Sequence, residues 1–150
     1  MRRIVAFFLI ITLCLSLFSC TAEPDSFEML KDFIKAYGAS GVIYSPHIPE
    51  GREGYIPKGF IEKIYVFSGD FPDEYAVFLN SRPEYGYECA LFICSDAATL
   101  DMMEEASLER IALLDGRGER SFVKRTSNSI FYSTMKDKKR AEALWREMIR

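Results

Sequence analysis

The sequence predicts an α+β domain: a two-layer sandwich in which a mainly antiparallel sheet of about five strands has helices packed on one face. Two observations predict it. Three segments carry apolar residues at spacings of three and four, which is typical of helices that bury one side. Between them lie short segments rich in Tyr, Phe, Ile and Val, joined by loops that suit antiparallel neighbours. A sheet with one covered face supplies the common surface that three such helices need.

The chain begins with a segment typical of a secretory leader. Arg2 and Arg3 precede an uncharged, largely apolar run at residues 4–18. A helix that spans a membrane needs about 20 apolar residues, so this run is too short for one. We therefore expect a signal peptide.

The leader ends in LFSC at residues 17–20, which fits the pattern of bacterial lipoproteins. We expect residues 1–19 to be removed and Cys20 to become the lipid-attached first residue. Two alternatives are cleavage after Ala22 without a lipid and an uncleaved leader that acts as a short anchor. Lipidation would place the protein on the extracytoplasmic face of the cell membrane, held there by its acyl chains.

The expected organisation is a leader, a short tether at residues 20–24 and a single domain at residues 25–150. Four residues of extended tether, 21–24, reach at most about 14 Å, so the domain should lie close to the headgroups. Removing the leader leaves 19 − 2 = 17 basic and 22 acidic residues, a net charge of about −5. An acidic domain argues against a nucleic-acid partner.

The first predicted helix covers residues 25–37, where Asp25 can cap the start and Gly38 the end. Residues 38–60 are irregular and rich in Gly and Pro, with a short strand at 41–44. A segment of this kind is usually functional or mobile.

Strands are predicted at residues 60–67, 74–80 and 87–95, followed by a helix from Ser95 or Asp96 to Asp115. The expected buried stripe of that helix is Leu100, Met103, Leu108, Ile111 and Leu114.

A hairpin is predicted from strands at 121–125 and 129–133, because Ser127-Asn128 suits a turn. Thr134 and Asp137 form a capping-box pattern before a last helix. Its apolar stripe is Ala141, Leu144, Trp145 and Met148.

Two cysteines remain in the domain, Cys89 and Cys94, in the run YECALFICS. On one strand they would lie about 16 Å apart and on opposite faces, so they could not bond to each other. We expect two free, buried thiols. A disulfide would require a different local structure or a second chain.

Three stretches of the chain resemble a known family. DEYAVFLN, YECALFICSDAATLDMMEEASLERIALL and RSFVKRTSNSIFYST, followed by an amphipathic helix and preceded by a lipoprotein leader, resemble small bacterial lipoproteins that carry an uncharacterised domain of unknown function. The resemblance covers about residues 60–149 and rests on element order and hydrophobic pattern. It implies a membrane-tethered, extracytoplasmic α+β domain and supplies no catalytic residue.

The sequence contains no GxSxG, HExxH, phosphate-loop or CxxC motif, so no cofactor or metal is expected. His47 is the only histidine, and it lies in the irregular segment together with Tyr44 and Tyr55. These three residues are the candidates for a binding site. The alternatives to a binding role are that His47 is an exposed loop residue and that the two tyrosines lie at the rim of the core.

Each of two clusters of charged residues has two interpretations, a binding surface or a face exposed to water. Asp101, Glu105 and Glu109 form an acidic stripe that could hold a cation or a basic partner, or simply face water. Four cations at the start of the last helix oppose its dipole and could face anionic headgroups, or water: Lys136, Lys138, Lys139 and Arg140.

The leading interpretation is a membrane-anchored lipoprotein with a non-catalytic binding or accessory domain, whose partner is a protein or a cell-envelope component. The alternative is a small hydrolase that uses carboxylates or His47 in a cleft beside the 38–60 segment. A substrate-binding lipoprotein of a transporter ranks third, because 150 − 19 = 131 residues leave little room for two lobes.

Overall fold

The computed structural model describes residues 25–115 and 119–150. The leader and Cys20 therefore lie outside the described residues. The helices are α1 Ser26–Tyr37, α2 Ala97–Leu114 and α3 Lys138–Met148. The strands are β1 Gly41–Tyr44, β2 Glu74–Asn80, β3 Gly86–Ile93, β4 Phe122–Arg125 and β5 Ser129–Met135, and two 3-10 helices cover Lys58–Lys63 and Pro83–Tyr85.

The five strands form one sheet in the order β1-β2-β3-β5-β4, and every neighbouring pair is antiparallel. The α+β class and the five-stranded antiparallel sheet are thus confirmed. Strand β5 lies between β3 and β4 because the β4–β5 hairpin adds to the sheet by its second strand.

Helices cover both faces of the sheet, not one. Along β2, Tyr75 and Val77 belong to one apolar core, whereas Ala76 and Phe78 belong to another. The first core packs under α2 and includes Leu100. The second packs under α1 and α3 and includes Phe33, Phe131 and Trp145, of which the last two stack with ring centroids 4.1 Å apart. The expected two-layer arrangement is wrong because the central strands are apolar on both sides.

The strand predicted at residues 60–67 is also wrong. The chain forms the 3-10 helix Lys58–Lys63 there, and Tyr65 N–H donates to the carbonyl of Ile61. Ile61 and Tyr65 are fully buried, a spacing of four that a helical turn satisfies. Val66, which an alternating strand would have packed beside Ile64, is 79% exposed.

The 38–60 segment is held by specific contacts. Its short strand forms as predicted, Ser45 N–H donates to the Gly54 carbonyl, and Ile56 enters the core under α2.

The helix caps agree with the sequence at two of three starts. Asp25 accepts the Glu28 N–H, Asp96 accepts the Thr99 N–H, and Gly38 ends α1 with φ of 78°. For α3 the cap is Asp137, which accepts the Arg140 N–H, and not Thr134, which belongs to β5. The hydroxyl of Thr134 instead bonds the backbone N–H and carbonyl of Glu88.

Helix α2 buries a different stripe from the one expected. Leu100, Met103 and Ile111 are buried, but Leu108 is 54% exposed. Ala106 and Ser107 take the buried positions because small side chains let the helix approach the sheet closely.

The two thiols lie as predicted, because Cys89 belongs to the core under α1 and α3, whereas Cys94 belongs to the core under α2. Both are free and buried.

Candidate functional site

A cleft of about 790 Å³ opens where α1 and β2 end and α3 begins, and we call it the basic cleft. Its lining includes five cationic side chains, two tyrosines and one carboxylate: Arg82, Lys136, Lys138, Lys139, Arg140, Tyr37, Tyr85 and Asp137. The remainder is small or neutral. A volume of this size is typical of small-molecule sites.

The cations come from two walls. Four lie in the stretch that leaves β5 and starts α3, and Arg82 faces them from the turn after β2. Within the described part of the chain, no carboxylate oxygen lies within 4 Å of the side-chain nitrogens of these five residues. Lys138 attracts the carboxylate of Asp115, but from beyond that distance. The cleft therefore concentrates positive charge that the protein neutralises only in part, through Asp137 and the more distant Asp115.

The two tyrosines fix this stretch in place. The Asp137 N–H donates to Tyr37 Oη over 3.0 Å, and the Lys136 N–H donates to the Tyr85 carbonyl over 2.9 Å. The Arg140 guanidinium lies 5.3 Å from the centre of the Tyr37 ring, and the Lys136 ammonium 5.4 Å from that of Tyr85. Cation–π contacts of this kind orient the charges without neutralising them.

Gly86 permits the close approach that this arrangement needs. It has φ of 118°, and a Cβ atom there would lie 2.6 Å from Met135 Cα. No side chain fits at that distance. The glycine thus lets the start of β3 touch the end of β5, which brings Tyr85 beside Lys136.

The chemistry of the basic cleft is that of anion binding. Asp137 uses one oxygen to cap the Arg140 N–H, and the N–H groups of Lys138 and Lys139 have no acceptor among the residues that the structure describes. Free N–H groups at a helix start attract anions, and the dipole of α3 adds to the attraction. Five cations and these donors converge on one space.

The candidates from the irregular segment are not brought together. His47 lines a shallow depression with Phe27 and Arg52, whereas Tyr44 lines a separate apolar pocket over β1 and β2. Tyr55 is half-buried, and its backbone pairs with Ser45.

His47 lies near the carboxylate of Glu74 and shares its depression with Glu53. Its Nε2 lies 3.8 Å from a carboxylate oxygen of Glu74, which also accepts the Ser26 N–H. The Ser26 hydroxyl is buried and has no hydrogen-bond partner among residues 25–115 and 119–150. Because the serine does not bond to the imidazole, these residues do not form a nucleophile activated by a base. The hydrolase alternative stays a prediction.

A buried charge network, which the sequence pattern does not predict, lies on the α2 face of the sheet. Glu88 is 1% exposed and receives two 2.7 Å bonds from the Arg110 guanidinium, through Nε and Nη2. The Tyr132 hydroxyl also donates to Glu88, so Tyr65 donates to Tyr132 across 2.6 Å. The signal in the sequence was Glu88 two residues before Ala90, at an inward position of an apolar strand.

The pKa values in this network follow its burial. Burial raises the pKa of Tyr65 and of Tyr132 well above the usual range, and the nearby charge of Glu88 raises both further. Hydrogen bonds to Glu88 raise the pKa of Arg110. The two tyrosines therefore stay neutral and Arg110 stays charged, so the hydrogen bonds around the Glu88 carboxylate are kept. We interpret the network as one that stabilises the fold.

The other reactive groups are engaged or shielded. Burial raises the pKa of Cys94 to about 12 and that of Cys89 well above its usual range, so neither thiol is an activated nucleophile. In the acidic stripe, Asp101 pairs with Arg125, which also bonds Glu104, while Glu105 and Glu109 are exposed. Over the described ranges, no three metal-ligating side chains come together.

Comparison with protein-family models, with curated proteins and with solved structures finds no match to this chain. Among the helices of residues 25–115 and 119–150, none has the length and apolar character needed to cross a membrane.

Proposed function

We propose that the chain is a lipoprotein anchored through Cys20 on the extracytoplasmic face of the cell membrane, and that its domain is a non-catalytic binding module. The basic cleft is the ligand site, and its ligand is an anion. The resemblance to small bacterial lipoproteins supports the location, and the cleft supports the binding role.

The observation that carries the proposal is the concentration of charge in an otherwise acidic domain. Residues 20–150 carry 19 − 2 = 17 basic and 22 acidic residues, yet five of the basic ones line one cleft together with a single carboxylate. Unneutralised like charges repel one another and oppose the dipole of α3. Such an arrangement costs stability, and an anionic ligand offsets that cost when it binds.

The anchor is tested by intact mass. The chain is expressed with its own leader in a bacterial host, extracted from membranes and compared with Cys20→Ala. We expect the mass of residues 20–150 plus a diacylglyceryl group and further acyl chain, absent in the variant. A lipid-free mass that starts at Glu23 would overturn the anchor.

The binding role is tested by melting the protein in non-ionic detergent with and without millimolar anions, first sulfate, citrate and pyrophosphate. Ligands that bind the folded state raise its stability by RT ln(1 + [L]/Kd), about 2.7 kcal/mol at a hundredfold excess over Kd. We expect the melting temperature to rise with at least one of these anions, and Arg82→Glu to remove the rise.

The matched control for Arg82→Glu is Arg52→Glu, an equal charge change at an exposed residue beside His47, outside the cleft. It should keep the rise. If no anion stabilises the protein, or if both variants behave alike, the cleft is not the ligand site.

A further inference from the structure

The basic cleft and the start of the folded domain lie at opposite ends of the molecule. Helix α1 begins beside Asp25, and Tyr37 and Gly38 at its other end line the cleft. Twelve residues of α-helix span about 18 Å.

The sheet gives the same separation independently. Glu74, the first residue of β2, accepts the Ser26 N–H, whereas Asn80, the last residue of β2, lines the cleft. Seven residues of strand extend about 20 Å. At the end that carries Asp25, Met29 and Ile149 line another depression, since α3 runs antiparallel to α1.

This geometry bears on which anion reaches the cleft. A tether of residues 21–24 reaches at most about 14 Å, which holds the Asp25 end at the membrane. With α1 directed away from the bilayer, the cleft lies about 18 Å further out than Asp25, beyond the Debye length of about 8 Å that limits the field of charged headgroups at physiological salt. In that orientation the cations at the start of α3 face the aqueous space and not the headgroups, which is the second of the two interpretations that the sequence leaves open.

The charge balance narrows the ligand further. Five cations against Asp137 leave four positive charges, which a monocarboxylate would not neutralise. A phosphate ester carries about −1.5 to −2 charges and three strong acceptor oxygens. Helix N-termini and lysines are common phosphate ligands, and Arg82 on the opposite wall can bind phosphate oxygens in a bidentate fashion.

The cleft has room for more than one phosphate group. Its volume of about 790 Å³ lies in the range of sites for whole small molecules, and Tyr37 and Tyr85 offer apolar edges for an organic portion. Cations on two separate walls suit charges at two points of one ligand.

Building on the anchored binding module proposed above, we propose that the basic cleft binds a soluble phosphate ester with two or more negative charges, and that it opens away from the membrane that holds Cys20. Two observations support this proposal. Arg82 and the start of α3 line the same cleft, and this cleft lies about 18 Å along α1 from Asp25.

Isothermal titration of the lipidated chain in non-ionic detergent tests the ligand class. The probes are fructose 1,6-bisphosphate, as a two-phosphate ester, and citrate, as a tricarboxylate of comparable charge, at physiological salt. We expect the bisphosphate to bind at least tenfold more tightly. Equal or tighter binding of citrate would overturn the phosphate assignment while leaving an anion-binding module standing, and binding of neither would overturn both.

The site is tested with charge-matched variants. Arg82→Glu with Lys139→Glu should weaken bisphosphate binding more than tenfold, whereas Arg52→Glu with Arg150→Glu, the same charge change elsewhere, should alter it less than twofold. Circular dichroism checks that each variant is folded. If the first pair does not fold, Arg82→Gln alone changes one exposed loop residue and should weaken binding at least threefold. Unchanged binding in the folded cleft variants would overturn the site.

The orientation is tested by reconstitution. The lipidated chain is placed in vesicles of pure phosphatidylcholine and in vesicles in which phosphatidylglycerol makes up about one third of the lipid. The affinity for the bisphosphate is measured in each. If the cleft opens away from the bilayer, the two affinities agree within twofold. A drop of tenfold or more with phosphatidylglycerol, lost in Arg82→Glu, would mean that headgroups occupy the cleft and would overturn the orientation.

Discussion

At the scale of single residues, the carboxylate of Glu88 carries the most consequence for stability. It is buried, and its two oxygens accept bonds from Arg110 and Tyr132. Replacing one member of a buried ion pair leaves the other charge without compensation, which costs about 3 to 5 kcal/mol. Arg110 keeps some contact with water, since a quarter of its side chain is exposed, so the lower end applies.

We therefore expect Glu88→Gln to lower the free energy of unfolding by about 3 kcal/mol in urea denaturation. The double variant Glu88→Gln with Arg110→Met should recover part of that loss, because it removes the uncompensated cation as well. Equal losses in the single and double variants would show that the pair is not coupled.

The buried tyrosines give the protein a predictable alkaline limit. Folding raises the pKa of Tyr65 and Tyr132, so the neutral hydroxyls contribute stability that is fully present below about pH 10, the pKa in the unfolded chain. That stability falls as pH rises above 10, because the unfolded state releases protons that the folded state keeps.

Absorbance at 295 nm tests this limit by counting ionised tyrosines. Of the eight tyrosines, Tyr65 and Tyr132 should ionise only when the chain unfolds, while Tyr75, with a pKa of about 12, titrates late. Tyr132→Phe should reduce the step that accompanies unfolding by one group. Smooth titration of all eight near pH 10 in folded protein would contradict the buried network.

At the scale of elements, the cations at the start of α3 lower the stability of the folded protein. Lys138, Lys139 and Arg140 occupy its first turn, where the dipole disfavours cations by about 0.3 to 1 kcal/mol each. Lys139→Glu should thus raise the free energy of unfolding by that order while it weakens anion binding. Arg146→Glu, in the last turn of the same helix, should lower stability and spare binding. A loss of stability in Lys139→Glu would contradict this account.

Local chemistry made most elements predictable. Asp25, Gly38 and Asp96 mark helix ends through their own hydrogen bonds or dihedral freedom, which depend on near neighbours in the chain. The error at residues 60–67 arose because β-rich composition does not separate a strand from a buried helical turn; the burial of Ile61 and Tyr65 depends on α2 and β5, far away in sequence.

Only part of the basic cleft could be predicted from the sequence, because some of its residues are near neighbours in the chain and others are not. Four of its cations are consecutive or nearly so, and the sequence drew attention to them and to their conflict with the helix dipole. Arg82 and the two tyrosines come from other elements, and only the antiparallel packing of the sheet brings them there. His47 drew attention by being the only histidine, but its neighbours do not form a site.

At the scale of the whole molecule, the sheet separates two cores and the two thiols with them. Cys89 lies under α1 and α3, and Cys94 under α2. We expect neither to react with a disulfide reagent at pH 8 in the folded protein, because burial excludes the reagent and keeps the thiols protonated.

In denaturant, two thiols should react, since the proposed lipid would block Cys20 and the proposed cleavage would remove Cys14 with the leader. A single thiol, or none, would indicate a disulfide and contradict the opposite-face arrangement. A third would indicate that Cys20 is unmodified.

The outermost strands of the sheet are its shortest. β1 and β4 have four residues each, whereas β2, β3 and β5 have seven or eight. Strand β4 ends in Lys124 and Arg125, which engage Glu142 and Asp101. Open strand edges invite pairing with another chain, and short, charged edges discourage it. Under the anchor proposed above, copies confined to a membrane surface would meet edge to edge often, but this sheet offers them little free backbone to join. The protein should therefore stay dispersed at surface densities where a longer strand edge would start aggregation.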